Sequence, residues 1–296
     1  MKANRFNKPK VIAEVGAVHL GSMSRAKELI RLAKLSGADY VKFQKRNPDE
    51  STPEHMKDKP HPNRMFSYGE TYLDHRKNLE LTLSQHVELK EYCEEIGIGY
   101  SSSVWDMTSA REIVSLNPDF IKIPSACNQH KEMLEFLRTR YSGDIHISTG
   151  MTTKNEMSDI CSWIASEDLR SRIVLYHCTS KYPCDFKDLH LLEIENLYQR
   201  YSKSPIRLGF SNHGKGIASD IAGYVLGAEW VERHFIDDRM IRHTDASASL
   251  EPQGLSKLIR DLNSVFIALN SRPEEMDEEE LSQRNKLKFL KGENDE

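Results

Sequence analysis

The chain has 296 residues, of which 38% are hydrophobic and 29% are charged, and its formal net charge is −4 at pH 7. This length suits one large barrel or two average domains, and the weakly acidic balance excludes the basic footprint of a nucleic-acid or membrane-surface protein. The N-terminus is polar, no apolar run approaches the roughly 20 residues of a membrane span, and the five cysteines form no CxxC pair, which together predict a cytoplasmic protein with reduced thiols.

Short β-branched or aromatic runs recur along the chain, and a longer amphipathic stretch follows them. The first helix is predicted at 24–36 with Ser24 as its cap, and another at 84–96 with Ser84 as its cap. This alternation is typical of βαβ units, and eight of them predict a closed (β/α)₈ TIM barrel, with a doubly wound open sheet as the alternative. The strands are predicted at 11–17, 40–44, 99–104, 120–125, 145–150, 173–178, 207–212 and 230–235.

Two segments depart from this rhythm. Strand starts are 21 to 34 residues apart except for one gap of 59, which contains residues 45–80. A loop of this length is often a functional lid, and the alternative is a disordered excursion. Residues 271–296 are highly charged and are predicted to form a helix and a tail, so the barrel is expected to occupy residues 1–270 as a single domain.

Histidines follow two consecutive predicted strands, and both lie at the carboxyl end where a barrel places its chemistry. His213 closes RLGFSNH and His234 lies in WVERHF, while Asp245 follows in the next loop. Two imidazoles near a carboxylate predict an open divalent-metal site. The alternative is that each histidine is only a hydrogen-bonded structural residue.

Lysine occurs inside two apolar strands, as Lys42 in YVKFQ and Lys122 in FIKIPS. An unpaired buried ammonium is costly, so these residues predict either a bound phosphate or carboxylate, or pairing with buried carboxylates. Nearby hydroxyls strengthen the first interpretation, although serine at a strand end also caps helices. These hydroxyls belong to Ser103, Ser125 and Ser148.

Seven motifs in this order resemble the N-acetylneuraminate (sialic acid) synthase family, which condenses phosphoenolpyruvate with an N-acyl sugar on a (β/α)₈ barrel. They span the predicted barrel from its first strand to the loop after its last. They read AEVGAVHLGS (13–22), VKFQKR (41–46), FIKIPSA (120–126), ISTGM (147–151), LYHCTSKYP (175–183), GFSNH (209–213) and VERHF followed by TDASASLEP (231–235 and 244–252).

The resemblance implies a role for each matching residue. His213 and His234 would hold the metal, Mn²⁺ by analogy or Mg²⁺, while Glu14 would contact the sugar and Asp245 would be the acid after the last strand. The phosphoenolpyruvate-binding residues would be Lys42, Lys122, Ser103, Ser125 and Ser148. Further substrate positions match Gln44, Tyr182 and Ser180, the last in place of the family's asparagine.

The resemblance also implies a homodimer and an aldose partner, which could be N-acetylmannosamine, a diamino-sugar analogue, a phosphorylated hexosamine or an unacylated sugar. Typical members continue into a small C-terminal antifreeze-like domain that this chain is expected to lack, and Cys127 stands where an acidic residue is common. Two rival functions follow from the residues: a metal-dependent hydrolase, and a barrel that binds a sugar or phosphorylated ligand without turnover. A metal-dependent hydrolase would give no role to Lys42 and Lys122.

Overall fold

The computed structural model describes residues 6–289, and eight parallel strands close a barrel in chain order from β1 to β8. The predicted (β/α)₈ barrel is therefore confirmed, and the open sheet is wrong. Most predicted strand bounds agree within one or two residues, because apolar β-branched runs end where the polar loops begin. The strands are β1 Lys10–Gly16, β2 Tyr40–Lys45, β3 Gly99–Val104, β4 Phe120–Ile123, β5 Asp144–Ser148, β6 Ile173–Cys178, β7 Arg207–Asn212 and β8 Trp230–His234.

Helices surround the barrel and pack their apolar faces on its outer surface. Among the described residues they are α1 Met23–Leu35, α2 Pro48–Ser51, α3 Glu54–Lys57, α4 Tyr72–Leu79, α5 Leu83–Ile96, α6 Met107–Leu116, α7 Lys131–Arg140, α8 Lys154–Ile164, α9 Glu167–Arg170, α10 Leu192–Tyr201, α11 Ala218–Val225, α12 Pro252–Ala268 and α13 Glu278–Leu287. None of these helices is both long and apolar enough to cross a bilayer.

Both predicted helix caps are wrong by two residues. The hydroxyl of Ser22, not Ser24, accepts from the backbone N–H of Arg25 at the start of α1. Helix α5 is capped by Thr82, which forms a capping box with Gln85. A cap residue has extended backbone and lies just before the helix. Each of these helices has two hydroxyl residues near its start, and the sequence alone does not show which of them is the cap.

The barrel interior is layered because side chains alternate along each strand. Its floor is an aromatic and aliphatic cluster in which the Tyr40 and Tyr176 rings fill the space that Cβ atoms at Gly99 and Gly209 would need. On β1, β2, β4 and β8, the inward-facing residue two positions further along the strand is charged. The floor thus consists of Ile12, Tyr40, Phe120, Val174, Tyr176 and Trp230, and the charged layer above it begins with Glu14, Lys42, Lys122 and Glu232.

Residues 45–80, the lid segment, fold over the carboxyl ends of the strands as short helices α2, α3 and α4 with a 3₁₀ turn between them. Glu50 accepts the backbone N–H groups of Met107 and Thr108, which ties the segment to the start of α6. The lid segment is therefore an ordered wall of the barrel mouth rather than a disordered excursion. The predicted C-terminal helix includes α13, whose residues are almost all exposed, while residues 290–296 of the predicted tail lie outside the described residues.

Candidate active site

A cavity of about 470 Å³ opens at the carboxyl ends of the strands, and all twelve residues predicted from the sequence line it. Parallel strands bring their carboxyl ends to one face, so residues up to 231 positions apart meet here. The twelve are Glu14, Lys42, Gln44, Ser103, Lys122, Ser125, Ser148, Ser180, Tyr182, His213, His234 and Asp245. Other strand-end polar residues point elsewhere: Thr149 donates to the carbonyl of Tyr176, and His177 contacts the carbonyl of Leu189.

Both buried lysines are paired with carboxylates. Strand register sets Glu14 beside Lys42, whose ammonium forms an ion pair with Glu14 and donates to Ser103 Oγ at 3.1 Å. The Lys122 ammonium lies 2.7 Å from Glu232 Oε2, and that same oxygen is 3.8 Å from the Lys42 ammonium. Pairing with carboxylates, which the sequence left open, thus describes both lysines, so an incoming anion would share them with Glu14 and Glu232.

The two carboxyl groups of this network have different proton affinities. Burial raises the pKa of Glu14 to about 7, because its desolvation outweighs the attraction of Lys42. Burial also raises the pKa of Glu232, but the attraction of the Lys122 and Lys42 ammoniums outweighs burial and lowers this pKa to about 2. Glu232 also accepts a hydrogen bond from Ser211 at 3.1 Å. Near neutral pH, Glu14 can therefore gain or lose a proton while Glu232 stays ionised.

The hydroxyls of Ser125 and Ser180, which follow β4 and β6, come together beside Gly150 at one side of the cavity. The Ser125 hydroxyl accepts from the backbone N–H of Gly150 at 3.0 Å. A Cβ atom at Gly150 would lie 2.5 Å from Ser180 Oγ and 2.7 Å from Ser125 Oγ, so only glycine lets these side chains approach. Cys127, by contrast, points away from the cavity and contacts the carbonyl of Trp105.

The two predicted metal-binding histidines lie next to each other in the cavity, with their ring centres 5.3 Å apart. His213 Nδ1 lies 2.8 Å from the carbonyl of Thr179, which can only accept, so this nitrogen carries a proton, and Nε2 offers a lone pair when the ring is neutral. Burial lowers the pKa of His213, but Cys178 and the Thr179 carbonyl outweigh burial and raise this pKa overall. The Tyr182 ring, next to a cis Tyr182–Pro183 bond, packs 4.1 Å from the His213 ring. Asp245 Oδ2 is 3.8 Å from His234 Nδ1.

These two imidazoles fit a divalent cation in part. His234 Nδ1 is buried without a hydrogen-bond partner, which is uncommon unless a ligand satisfies the atom. Burial also lowers the pKa of His234 to about 4, so the ring is neutral at pH 7, as a metal ligand must be. Within residues 6–289, however, no three His, Cys, Asp or Glu side chains form a ready metal cluster. The histidines would thus supply two ligands and leave positions open.

Several cavity residues were not predicted from the sequence. Glu232 has no role in the sequence analysis, although a carboxylate inside the apolar run of β8 is the signal that could have identified it. Arg46, at the end of the VKFQKR motif, also lines the cavity. The lid segment contributes further lining residues, which include His61, His75 and Arg76. Its uneven hydrophobic pattern did not allow the sequence to assign them to the cavity.

Comparison with known proteins places this geometry among related chains. The model of the NeuB family matches residues 29–274. The chain is 34% identical to N-acetylneuraminate-9-phosphate synthase from Homo sapiens over 262 residues, which are 88% of this chain and 71% of the human one. It is 31% identical to N,N'-diacetyllegionaminic acid synthase from Campylobacter jejuni subsp. jejuni serotype O:2, covering 89% of this chain and 78% of that one. The crystal structure of N-acetylneuraminic acid (sialic acid) synthetase from Leptospira borgpetersenii serovar Hardjo-bovis superposes with a TM-score of 0.78 at 25% identity, covering 95% and 93% of the two chains.

Proposed function

This chain belongs to the NeuB family, and from that membership we propose that it condenses phosphoenolpyruvate with an N-acyl hexosamine to form a sialic-acid-like nonulosonate and inorganic phosphate. The observation that carries the proposal is the meeting of two buried lysine ammoniums and two histidine imidazoles in one cavity. The ammoniums suit binding of a small anionic substrate. The imidazoles suit binding of a divalent cation that would activate the sugar aldehyde.

The inner half of the cavity is proposed to hold phosphoenolpyruvate. Its phosphate and carboxylate would contact Lys42 and Lys122, with the hydroxyls of Ser103, Ser125 and Ser148 as further donors. Lys42 would contact the anion while it keeps its ion pair with Glu14, so Glu14 can stay ionised and available as a base.

His213 and His234 would hold a divalent cation, Mn²⁺ or else Mg²⁺, which when bound supplies a Lewis acid for the sugar aldehyde. Asp245 lies beside His234 and would orient the sugar, together with Gln44, Ser180 and Tyr182 at the cavity wall. In the reaction, C3 of phosphoenolpyruvate forms a bond with the aldehyde carbon as the C2=C3 and C=O π bonds break, and the aldehyde oxygen takes up a proton. Water adds at C2 and loses a proton, and the C2–O bond to phosphate breaks to leave a ketone at C2. Glu14 is suited to accept the proton that this water loses, because a base with a pKa near 7 works well at neutral pH.

Incubation with phosphoenolpyruvate, Mn²⁺ and a panel of aldoses tests the proposal, with inorganic phosphate measured and the product identified by mass. We expect phosphate release that requires both substrates, and a nonulosonate of the matching mass. If phosphoenolpyruvate binds but no phosphate is released in the presence of any aldose, synthase activity is contradicted. That result would favour a barrel that binds its ligand without turnover. A homodimer and a cytoplasmic location remain predictions from the sequence.

A further inference from the structure

Two arginines line the outer part of the cavity, above the lysine layer. Arg46 follows β2, and Arg76 lies on α4 of the lid segment. From Lys42 to Arg46 the chain advances four residues, or roughly 13 Å of extended strand. Gln44 and Glu14 stand between the Arg46 guanidinium and Lys42, since Arg46 donates to Gln44, Gln44 donates to Glu14, and Glu14 pairs with Lys42. Arg76 lies on the lid segment, at the mouth of the cavity.

Neither guanidinium has a carboxylate within ion-pair distance in the described part of the chain. Arg46 stacks on the Trp105 ring at 3.3 Å and donates to Gln44 Oε1 at 3.2 Å, while Arg76 donates to the Tyr72 hydroxyl. The lysines below are neutralised by Glu14 and Glu232. Within residues 6–289, the arginines are thus cavity cations without a carboxylate in ion-pair contact.

The surroundings hold these cations at a cost that an anion would relieve. Burial lowers the pKa of Arg46 to about 9, and the charge of Arg76 acts in the same direction, so the two guanidiniums are close enough to repel. Glu80 is nearby, but it accepts the backbone N–H of Arg46, and burial raises its own pKa to about 7. Both arginines are half-buried, so their charges are only partly solvated, and an anionic ligand that meets them would stabilise them.

We propose that Arg46 and Arg76 bind a phosphate on the end of the acceptor sugar remote from its aldehyde, so that the acceptor is an N-acyl hexosamine 6-phosphate. This inference rests on the proposed function, since it names the acceptor of that same site. A guanidinium presents paired N–H donors that match phosphate oxygens, which a lysine does not. His75 adds a neutral donor, because its Nδ1 accepts the backbone N–H of Tyr68 and its Nε2 therefore carries the proton.

One other anion could occupy these arginines, namely the phosphate of phosphoenolpyruvate itself. The two assignments differ in which half-saturation constant the arginines control. If they serve the acceptor, their loss affects phosphorylated sugar alone. If they serve phosphoenolpyruvate, their loss raises its half-saturation whichever sugar is present.

The test compares N-acetylmannosamine 6-phosphate with N-acetylmannosamine at saturating phosphoenolpyruvate and Mn²⁺. We expect the wild type to prefer the phosphorylated sugar at least tenfold in kcat/KM. Arg76→Gln and Arg46→Gln should each remove most of this preference through a higher KM for the phosphorylated sugar. For Arg76→Gln, whose described contacts do not include Gln44, kcat/KM for the unphosphorylated sugar should stay within threefold. Arg76→Lys should retain part of the preference. Arg64→Gln is the matched control, because Arg64 is exposed on the same lid segment and does not line the cavity.

Equal efficiency with the two sugars would overturn the inference while leaving the synthase activity intact. A rise in the half-saturation of phosphoenolpyruvate with both sugars would also overturn it and would assign the arginines to that substrate. If no phosphate is released with any sugar, the proposed function fails. Calorimetric titration of N-acetylmannosamine 6-phosphate into the wild type and Arg76→Gln then tests, independently of turnover, whether the arginines bind the sugar phosphate. Binding weakened at least tenfold by the substitution supports the site, and unchanged binding refutes it.

Discussion

At the scale of single residues, Lys122 lies between a carboxylate and an aromatic face. Its ammonium is 2.7 Å from Glu232 Oε2 and 3.9 Å from the centre of the Tyr176 ring. Burial lowers its pKa, and the opposing charge of Glu232 limits that effect. Such an ammonium is already held in place and desolvated, so it can contact a substrate anion without reorganising.

We expect Lys122→Ala to raise the half-saturation of phosphoenolpyruvate more than tenfold. A charged hydrogen bond is worth about 1.5–3 kcal/mol, and about 1.4 kcal/mol corresponds to a factor of ten. The measurement is steady-state phosphate release, with Lys10→Ala as a control because Lys10 lies at the opposite end of the barrel. Lys122→Ala alone leaves the Glu232 carboxylate without its main partner, which could destabilise the fold. The double variant Lys122→Ala/Glu232→Gln also removes that negative charge, so a change in its half-saturation reports binding rather than folding. An unchanged half-saturation in the double variant would refute the anion site.

His234 supports a second prediction at this scale, since its Nδ1 is buried without a hydrogen-bond partner. His234→Ala should abolish phosphate release even with excess Mn²⁺, and the variant should keep the thermal unfolding midpoint of the wild type within a few degrees. Removing the ring breaks no hydrogen bond of Nδ1, so the fold loses only packing. The exposed His55 provides the control variant His55→Ala. Turnover at the wild-type rate would rule out a metal-binding role for His234.

The candidate site could be predicted residue by residue where a polar side chain interrupts an apolar strand. That rule identified Lys42 and His213, because in a barrel strand the exceptions are informative. It could not tell whether a lysine faces a carboxylate or a ligand, since this depends on strand register. Lys122 and Glu232 lie on strands that do not pair with each other, and only the closed interior brings them together.

At the scale of elements, the lid segment depends on a close approach of its own backbone. A Cβ atom at Gly69 would lie 2.4 Å from the backbone nitrogen of His75, at the start of α4. Gly69→Ala should therefore displace α4 and with it Arg76, and weaken the acceptor at least tenfold in KM. The half-saturation of phosphoenolpyruvate should change little, because its proposed contacts lie in the strands. Glu70→Ala, at an exposed neighbour, is the control. Equal effects on both substrates would contradict this division of the cavity.

Helix α5 is joined to β3 by a buried contact in which His86 Nδ1 lies 2.6 Å from the Tyr100 hydroxyl. Burial lowers the pKa of His86 to about 3, with smaller effects in the same direction from Lys45 and His19. The unfolded chain binds a proton near pH 6.5 and the folded chain does not, so stability is lost as pH falls from about 6.5 towards 3.

The expected slope from this one histidine is at most about 1.4 kcal/mol per pH unit. Urea unfolding at pH 7, 6 and 5 measures it, and His86→Gln should have a shallower dependence than the wild type. Its stability at pH 7 is not the readout, because the substitution also disturbs the contact with Tyr100. His55→Gln, at an exposed site, should leave the slope unchanged. Identical slopes for His86→Gln and the wild type would disprove the linkage.

Elements differ in how well the sequence predicts them. Helix α1 and strand β7 are marked by clear periodicity and agree with prediction within one residue. Strand β4 is shorter than predicted, because Pro124 has no N–H to continue the ladder and a 3₁₀ turn follows. The lid segment has no sustained period, so its place over the mouth depends on tertiary contacts that local patterns do not contain.

At the scale of the whole molecule, closure of the barrel is what makes one site out of eight strand ends. Strand β8 pairs with both β7 and β1, so Glu14 lies in register with His234 although 220 positions separate them. Eight regularly spaced βαβ units predict this closure. The distances between the strand ends could not be predicted, because they depend on the stagger of the strands rather than on their number.

The closing strand also carries a buried ion pair on its outer side, which gives a prediction for global stability. Arg233 Nη1 lies 2.7 Å from Asp220 Oδ2, both side chains are at most 1% exposed, and the same guanidinium donates to the carbonyls of Gly214 and Gly216. Asp220→Ala would leave this cation without its carboxylate and should lower the free energy of unfolding by about 3–5 kcal/mol, measured in urea. Asp237→Ala, which breaks a partly exposed pair with Arg25, should cost about 1 kcal/mol or less.

Asp220→Ala/Arg233→Met tests the cause, because it removes the cation together with its partner. We expect the double variant to be less destabilised than the sum of the two single ones, since the penalty of Asp220→Ala comes from the charge it leaves behind. Strand β8 completes the cylinder, so the loss should appear in one cooperative transition reported equally by far-ultraviolet circular dichroism and tryptophan fluorescence. A loss no greater than that of Asp237→Ala would show that the carbonyl groups around Arg233 compensate its charge without Asp220.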